Sequence, residues 1–366
     1  MFGGDAKALR FMSDDPSIPS EDARPAGPHR RRPRYSGKNP RRFEDKYKER
    51  LPELHAATVA KVLASGRTPA GMHRPIMVAE ILLTLDPKPG EVAIDATLGY
   101  GGHARELLAR LQPGGRLIGL DADPIELPKT EARLRADGFG PETLTATHSN
   151  FAGLPKVLVR EGLTGADCIL ADLGVSSMQL DDPGRGFSTK GEGPLDMRMN
   201  PGRGYPASAL LARLAPGALT QLLRDNADEP HAAELGEQLA GRQFETTREL
   251  AGAIRAAMPG VEREQADLTV RRAFQALRIA VNEEFSALET FLRNLPACMN
   301  PGGRAAVLTF HSGEDRRVKK SFRAGLRSGL YTEISEEVIR PGSEERRENP
   351  RSSSAKLRWA RKAPRE

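Results

Sequence analysis

The 366-residue sequence predicts an α/β protein built on a doubly wound, Rossmann-like sheet with a helical subdomain inserted into it. Three observations carry that expectation. Apolar segments of strand length alternate with helical ones from about His73 onward. A glycine-rich turn, Gly99-Tyr100-Gly101-Gly102, follows the first such strand. The alternation is then suspended between Leu173 and Arg304, and Ala207 to Leu295 reads almost wholly helical.

Taken in order, residues 1 to about 50 are rich in Pro, Arg, Asp and Gly without helical or strand period, which predicts a disordered extension. Leu51 to about Ser65 has the pattern of a short amphipathic helix. Strands are expected at Val92–Asp95, Arg116–Asp121, Leu144–His148, Cys168–Leu173 and Arg304–Phe310, with Lys356–Ala360 as the last. A Gly-rich stretch from Asp182 to Tyr205 precedes the helical part, which breaks at Ala215-Pro216-Gly217 and Met258-Pro259-Gly260. The expected division is a basic extension over 1–70, an α/β domain formed by 71–200 and 286–366, and a helical subdomain over 201–285.

Composition narrows the function classes. No run approaches the roughly 18 apolar residues of a membrane span, and no apolar block follows Met1 to mark a secretory leader. Cys168 and Cys298 are too few for a disulfide framework and form no Cys-x-x-Cys pair, so a cytoplasmic protein without a metal site or membrane partner is expected. The net charge of +6 is unevenly spread: +7 over 29–50, +8 over 316–366 and −7 over 51–315. Basic ends without an accompanying apolar face favour nucleic acid over a membrane surface, although a solvated charge run is the plainer account of the first segment. Binding through such segments should weaken steeply with salt.

Gly99-x-Gly101-x-x-Ala104 fits the dinucleotide fingerprint, and Asp121, 22 residues after Gly99, stands where a ribose-binding acid belongs. A NAD-dependent oxidoreductase is therefore open on this pattern alone. Asp95 argues for a different ligand: at the end of the first strand its carboxylate would repel a pyrophosphate. S-adenosylmethionine brings an ammonium and a sulfonium, which carboxylates stabilise. Ile169-Leu170-Ala171-Asp172 ends a third strand in an acid, so Asp95, Asp121 and Asp172 should converge on one crevice beyond the carboxyl ends of the strands.

Several blocks then follow in order: His73-Arg74-Pro75-Ile76-Met77, the Asp95–His103 loop, Asp172-Leu173-Gly174-Val175-Ser176-Ser177-Met178-Gln179-Leu180-Asp181 and Gly186-Phe187-Ser188. Gly193-Pro194-Leu195-Asp196-Met197-Arg198-Met199, Phe274-Gln275-Ala276-Leu277-Arg278-Ile279-Ala280-Val281-Asn282, Phe310-His311-Ser312 and Asn349-Pro350-Arg351 complete the series. From His73 to Arg361 the sequence resembles the bacterial 16S rRNA cytosine-N4 methyltransferases, the RsmH family, formerly MraW. The resemblance implies a class I S-adenosylmethionine-dependent methyltransferase with a helical domain inserted after the fourth strand. It also implies methylation of the exocyclic N4 of a cytidine in the decoding region (P site) of 16S rRNA, with the 30S subunit as partner. Cofactor-binding residues carry over onto Gly101, Gly102, His103, Asp121, Phe151, Asp172 and Gln179, Phe151 lying against the adenine or simply in the core.

Cytosine N4 is a weak nucleophile because its lone pair is delocalised into the ring, so an acceptor for its N–H is needed. Asp172 or a backbone carbonyl of Leu173-Gly174-Val175 could supply it. His311, after the fifth strand, and Asn282 are the other catalytic candidates; Arg271, Gln275, Arg278 and Asn282 share one helical face, either an RNA groove or a solvated surface. The sequence departs from the family pattern at Met178 (usually proline), at Gly313 (usually leucine) and over Asp228-Glu229-Pro230-His231 (usually more basic), and no core-family counterpart is expected before about Met72. A paralogue acting on another RNA and a non-catalytic ribosome-assembly factor therefore stay open, as does the choice between monomer and homodimer.

Overall fold

The six expected strands and one more form in the computed structural model, which describes residues 75–364. The extension, the amphipathic helix at 51–65 and the basic run at 29–50 lie outside the described residues. In chain order the elements of the first half are α1 (Val78–Leu85), β1 (Val92–Asp95), α2 (Gly102–Leu111), β2 (Arg116–Asp121), α3 (Leu127–Ala136), β3 (Leu144–His148), α4 (Leu154–Arg160), β4 (Ala166–Asp172) and α5 (Ser177–Asp181). Five helices follow: α6 (Ala207–Arg213), α7 (Pro216–Ala227), α8 (Ala232–Leu239), α9 (Thr247–Ala256) and α10 (Arg263–Val281). The chain closes with α11 (Glu284–Cys298), β5 (Met299–Thr309), α12 (Ser312–Arg327), β6 (Tyr331–Ile334), α13 (Ser343–Glu348) and β7 (Lys356–Lys362).

The strands form one sheet in the order β3-β2-β1-β4-β5-β7-β6. The first five are parallel, and β7 runs antiparallel between β5 and β6. This is the doubly wound class I sheet that the sequence predicts. Because side chains alternate along a strand, Ile94, Ile118 and Ile169 enter a core with Phe291 and Phe322 on one face, while Ala93, Leu117 and Leu170 meet Leu107 and Leu108 on the other. Chain direction reverses beside β1, between β2 and β4, which places the crevice at the carboxyl ends of those strands.

The strands at Arg116–Asp121 and Leu144–His148 stand where the pattern sets them, whereas β5 begins at Met299, earlier than Arg304. The sequence reading omits β6. Its four residues bury only Tyr331 fully, so the apolar alternation that marks a strand is missing.

Helices α6 to α10 close on a separate core of Leu219, Leu223, Leu235, Leu250, Ile254, Val270 and Phe274, joined by Phe187, Leu195 and Met197 from the Gly-rich stretch. α11 turns back to the sheet through Leu288, Phe291, Leu292 and Leu295. Asn282 caps α10 at this return. Its Oδ1 accepts the Met199 N–H at 2.7 Å, and its Nδ2 donates to the Met197 carbonyl at 2.8 Å and the Arg278 carbonyl at 2.9 Å. One amide thus ties the helical unit to the loop that leaves the sheet.

Candidate active site

The β1–α2 turn brings backbone to the crevice. Gly99 and Gly101 have φ of +50° and +83°, and a Cβ on Gly101 would lie 2.9 Å from Thr130 Cγ2. Gly99 donates its N–H to Asp121 Oδ2 at 2.7 Å while its carbonyl accepts from Thr130 Oγ1 at 2.6 Å, fixing the turn against β2 and α3. Asp121 also accepts the Asp123 N–H at 2.8 Å. On the other side the Asp172 N–H donates to Thr97 Oγ1 at 2.6 Å, so the ends of β1 and β4 are pinned together.

These elements wall a cavity of about 680 Å³. Gly102, His103, Asp121, Phe151, Asp172, Gln179, Asn282 and His311 all line it. Asp95 and Gly101 do not. Asp95 is buried behind the wall, where it accepts the Thr97 N–H at 3.1 Å, and Gly101 shapes the turn from beneath. Phe151 stands edge-on to Phe291, with ring centroids 5.6 Å apart, and keeps part of its surface on the cavity. Gln179 directs its amide at protein: its Oε1 accepts the Ser176 N–H and its Nε2 donates to Asp123 Oδ2.

The acids give the cavity its electrostatic character. Burial pushes Asp95 and Asp121 up to about 6. Burial, then the charge of Glu314, pushes Asp172 up to about 7; about a quarter of its side chain is exposed in the cavity, so solvent there relieves part of the rise. Glu314 goes the other way. Burial alone would raise it, but His311, the Phe310 N–H and Arg278 together hold it below the usual carboxylate range. His311 Nε2 lies 3.2 Å from Glu314 Oε1 without hydrogen-bond alignment, and neither ring nitrogen of this enclosed imidazole has a hydrogen-bond partner. His311 is therefore a polar group held ready at the cavity wall.

Of the helical face, Arg271, Gln275, Arg278 and Asn282 all reach the cavity. Arg278 is held bidentate by Glu284 at 2.8 and 2.9 Å, so its cation is largely matched. Asp123 and Arg185 were not among the expected site residues. Asp123 Oδ2 accepts from Arg185 Nη1 at 2.7 Å, and Arg185 Nη2 donates to the Arg198 and Met199 carbonyls. The available signal was the short spacing Asp121-Ala122-Asp123, which places a second acid just beyond the strand end.

The three departures from the family pattern also acquire surroundings. Met178 is buried in α5. A Cβ on Gly313 would lie 2.6 Å from Phe285 Cζ, so the aromatic ring occupies the space a leucine would need. Asp228 bonds Ser312 and Arg316 at 3.1 Å, joining the end of α7 to the start of α12 across the two units. Among the described residues no helix is long and apolar enough to cross a membrane, and no group of three His, Cys, Asp or Glu is placed to hold a metal ion.

The donor set suits a cation better than a polyphosphate. Two strand-end carboxylates, Asp121 and Asp172, line one end of the cavity with Asp95 buried behind its wall, and Leu98, Val175 and Phe151 are among its apolar lining. Against known proteins, residues 70–363 match the MraW methylase family. The chain is 49% identical to ribosomal RNA small subunit methyltransferase H 1 of Lachnoclostridium phytofermentans, over 94% of this chain and 96% of that protein. It is 47% identical to the protein of the same name in Agathobacter rectalis, over 92% and 98%. A match of that extent enters the segment before residue 70, so the expectation that this segment lacks a counterpart does not hold for these relatives.

Proposed function

Because the chain belongs to the MraW methylase family, we propose that it methylates the exocyclic N4 of a cytidine in the P-site region of 16S rRNA, using S-adenosylmethionine and the 30S subunit as substrates. The single observation that carries the chemistry is Asp172, a carboxylate at the carboxyl end of β4 that opens on the cavity with His311 and Glu314 along the same wall. The nicotinamide reading of the glycine turn gives way to the methylase family.

Asp121, Gly102, Phe151 and the backbone of the Gly99 turn are the residues that would hold the cofactor, with Asp95 adding negative charge from behind. When bound, S-adenosylmethionine supplies a methyl group activated by a positive sulfonium. Asp172 accepts an N–H of the target amine, which localises the nitrogen lone pair, and then takes the proton. The Leu173–Val175 segment and His311, which line the cavity, orient the base. The target must leave its stack, at roughly a few kcal/mol. The exposed Arg316, Lys320, Arg323 and Arg327 of α12 offset this through phosphate contacts, and residues 201–285 form the RNA-recognition subdomain.

The deciding experiment incubates the protein and labelled S-adenosylmethionine with 30S subunits lacking native modification, followed by nucleoside analysis. N4-methylcytidine at one decoding-centre position is the expected product. A different methylated nucleoside, or no transfer, overturns the assignment.

Cofactor binding should also depend on pH. A cation binds the ionised acids, so sites sitting at about 6 to 7 must release protons on binding. Affinity for S-adenosylmethionine should rise about tenfold from pH 5.5 to 7.5 by calorimetry, and less for S-adenosylhomocysteine, which lacks the sulfonium charge. The unliganded protein should show the opposite trend. Asp95, Asp121 and Asp172 have raised values, so the stability they contribute is present below the ordinary carboxylate range and is lost as pH rises through 6 to 7.

A further inference from the structure

We propose that His103 is a positioning residue for proton removal, forming with Asp172 a two-residue acceptor that takes up one proton as a unit. The inference rests on the reading of Asp172 as the group that receives the amine proton.

The ring is held from both sides. His103 Nε2 lies 2.9 Å from the Ile76 carbonyl oxygen, which can only accept, so the Nε2 position carries a proton. That leaves Nδ1 of the neutral ring without a proton, 3.5 Å from Asp172 Oδ2. Two acceptors facing each other repel; one proton between them converts the repulsion into a hydrogen bond.

The surroundings strengthen the pair's attraction for that proton. Asp95 on β1, Glu106 on α2 and Glu345 on α13 all favour the charged ring, opposed by burial, which outweighs them and lowers His103 below its ordinary value. Glu314 on α12 acts on Asp172 in the same sense, and Asp121 on β2 acts on neighbouring Asp95. The pair therefore sits in a ring of carboxylates, which favours a proton on it.

The step balances. The nitrogen lone pair forms the new N–C bond, the methyl–sulfur bond breaks with its electrons left on sulfur, and the amine proton passes to Asp172 Oδ2, where His103 Nδ1 accepts a hydrogen bond from it. The unit of positive charge lost from sulfur reappears as the proton in the pair, so the cavity keeps its charge and the proton leaves to solvent after product release.

Two measurements test this on the full-length protein. In ring-nitrogen NMR, with His103 assigned from the His103→Gln spectrum, the wild type should show the Nε2–H tautomer above neutrality and a titration step shared with Asp172. Asp172→Asn should abolish the shared step and move ring protonation down by more than about one pH unit. A ring that titrates identically in both, or one that carries its proton on Nδ1, overturns the pair. In methyl-transfer assays, His103→Gln and His103→Asn should lower kcat about 100-fold, displace the acid limb of the kcat–pH profile and leave cofactor affinity within about threefold. A parallel loss of cofactor affinity with an unmoved pH profile makes His103 a cofactor ligand and overturns the proposal. The NMR measurement needs no RNA, so shared titration in a wild-type protein that leaves 30S subunits unmethylated supports the pair and overturns only the substrate assignment.

Discussion

Asp172→Asn should lower the single-turnover rate of methyl transfer about 10²- to 10³-fold, the loss general-base removal typically produces. Asparagine keeps the size of the side chain, and the backbone bond from residue 172 to Thr97 Oγ1 is untouched, so β1 and β4 should stay joined. What disappears is a carboxylate able to take a proton. Because burial and then Glu314 push Asp172 up to about 7, the wild-type rate should climb between pH 6 and 8 as the group ionises, and the variant should be flat there. Cofactor affinity should fall by no more than about tenfold, since Asp121 still lines the cavity and Asp95 adds negative charge from behind its wall. The measurement is rapid-quench transfer to 30S subunits across that pH range. Near-wild-type transfer by the variant would move the acceptor role to a backbone carbonyl of Leu173–Val175.

The strand-end acids were legible because each of their positions is fixed by one short apolar run. Val92–Asp95, Arg116–Asp121 and Ile169–Asp172 each end in an acid, and a parallel sheet brings such ends to one edge without any knowledge of the loops. The division of labour among those acids was not legible. Asp95 reads in sequence as the equal of Asp121, yet the turn folds over it and leaves it behind the cavity wall. Asn282 falls on a polar helical face, but position along a face does not reveal that its amide is consumed by three backbone groups from two segments. Glu314 escaped notice for a similar reason. In sequence it is one of two acids at the start of a charged helix, and only burial against His311, Arg278 and the Phe310 N–H separates it from Asp315. Helical periodicity reports which side of a helix is polar; long-range closure decides which polar group is enclosed.

Arg185→Ala should cost about 3–5 kcal/mol of stability, the penalty for leaving one member of a buried ion pair without its partner. The Asp123 side chain is 1% exposed and that of Arg185 10% exposed, and the 2.7 Å bond between them is flanked by the Gln179 amide. Arg185 does more than neutralise Asp123, for it also donates to the Arg198 and Met199 carbonyls in the loop that Asn282 holds from the other side. Removing the guanidinium therefore strands an acid beneath the cavity and frees two carbonyls where the sheet hands over to the helical unit. A fall in Tm of about 10 °C is expected by scanning calorimetry. Asp123→Asn combined with Arg185→Met removes both charges and keeps most of the volume, so the double variant should recover a large part of that loss. If the double variant is no more stable than Arg185→Ala, the carbonyl bonds rather than the ion pair hold the loop. In either variant S-adenosylmethionine affinity should drop with stability, because Gln179 and Asp123 form the floor on which the Asp121 end of the cavity is built.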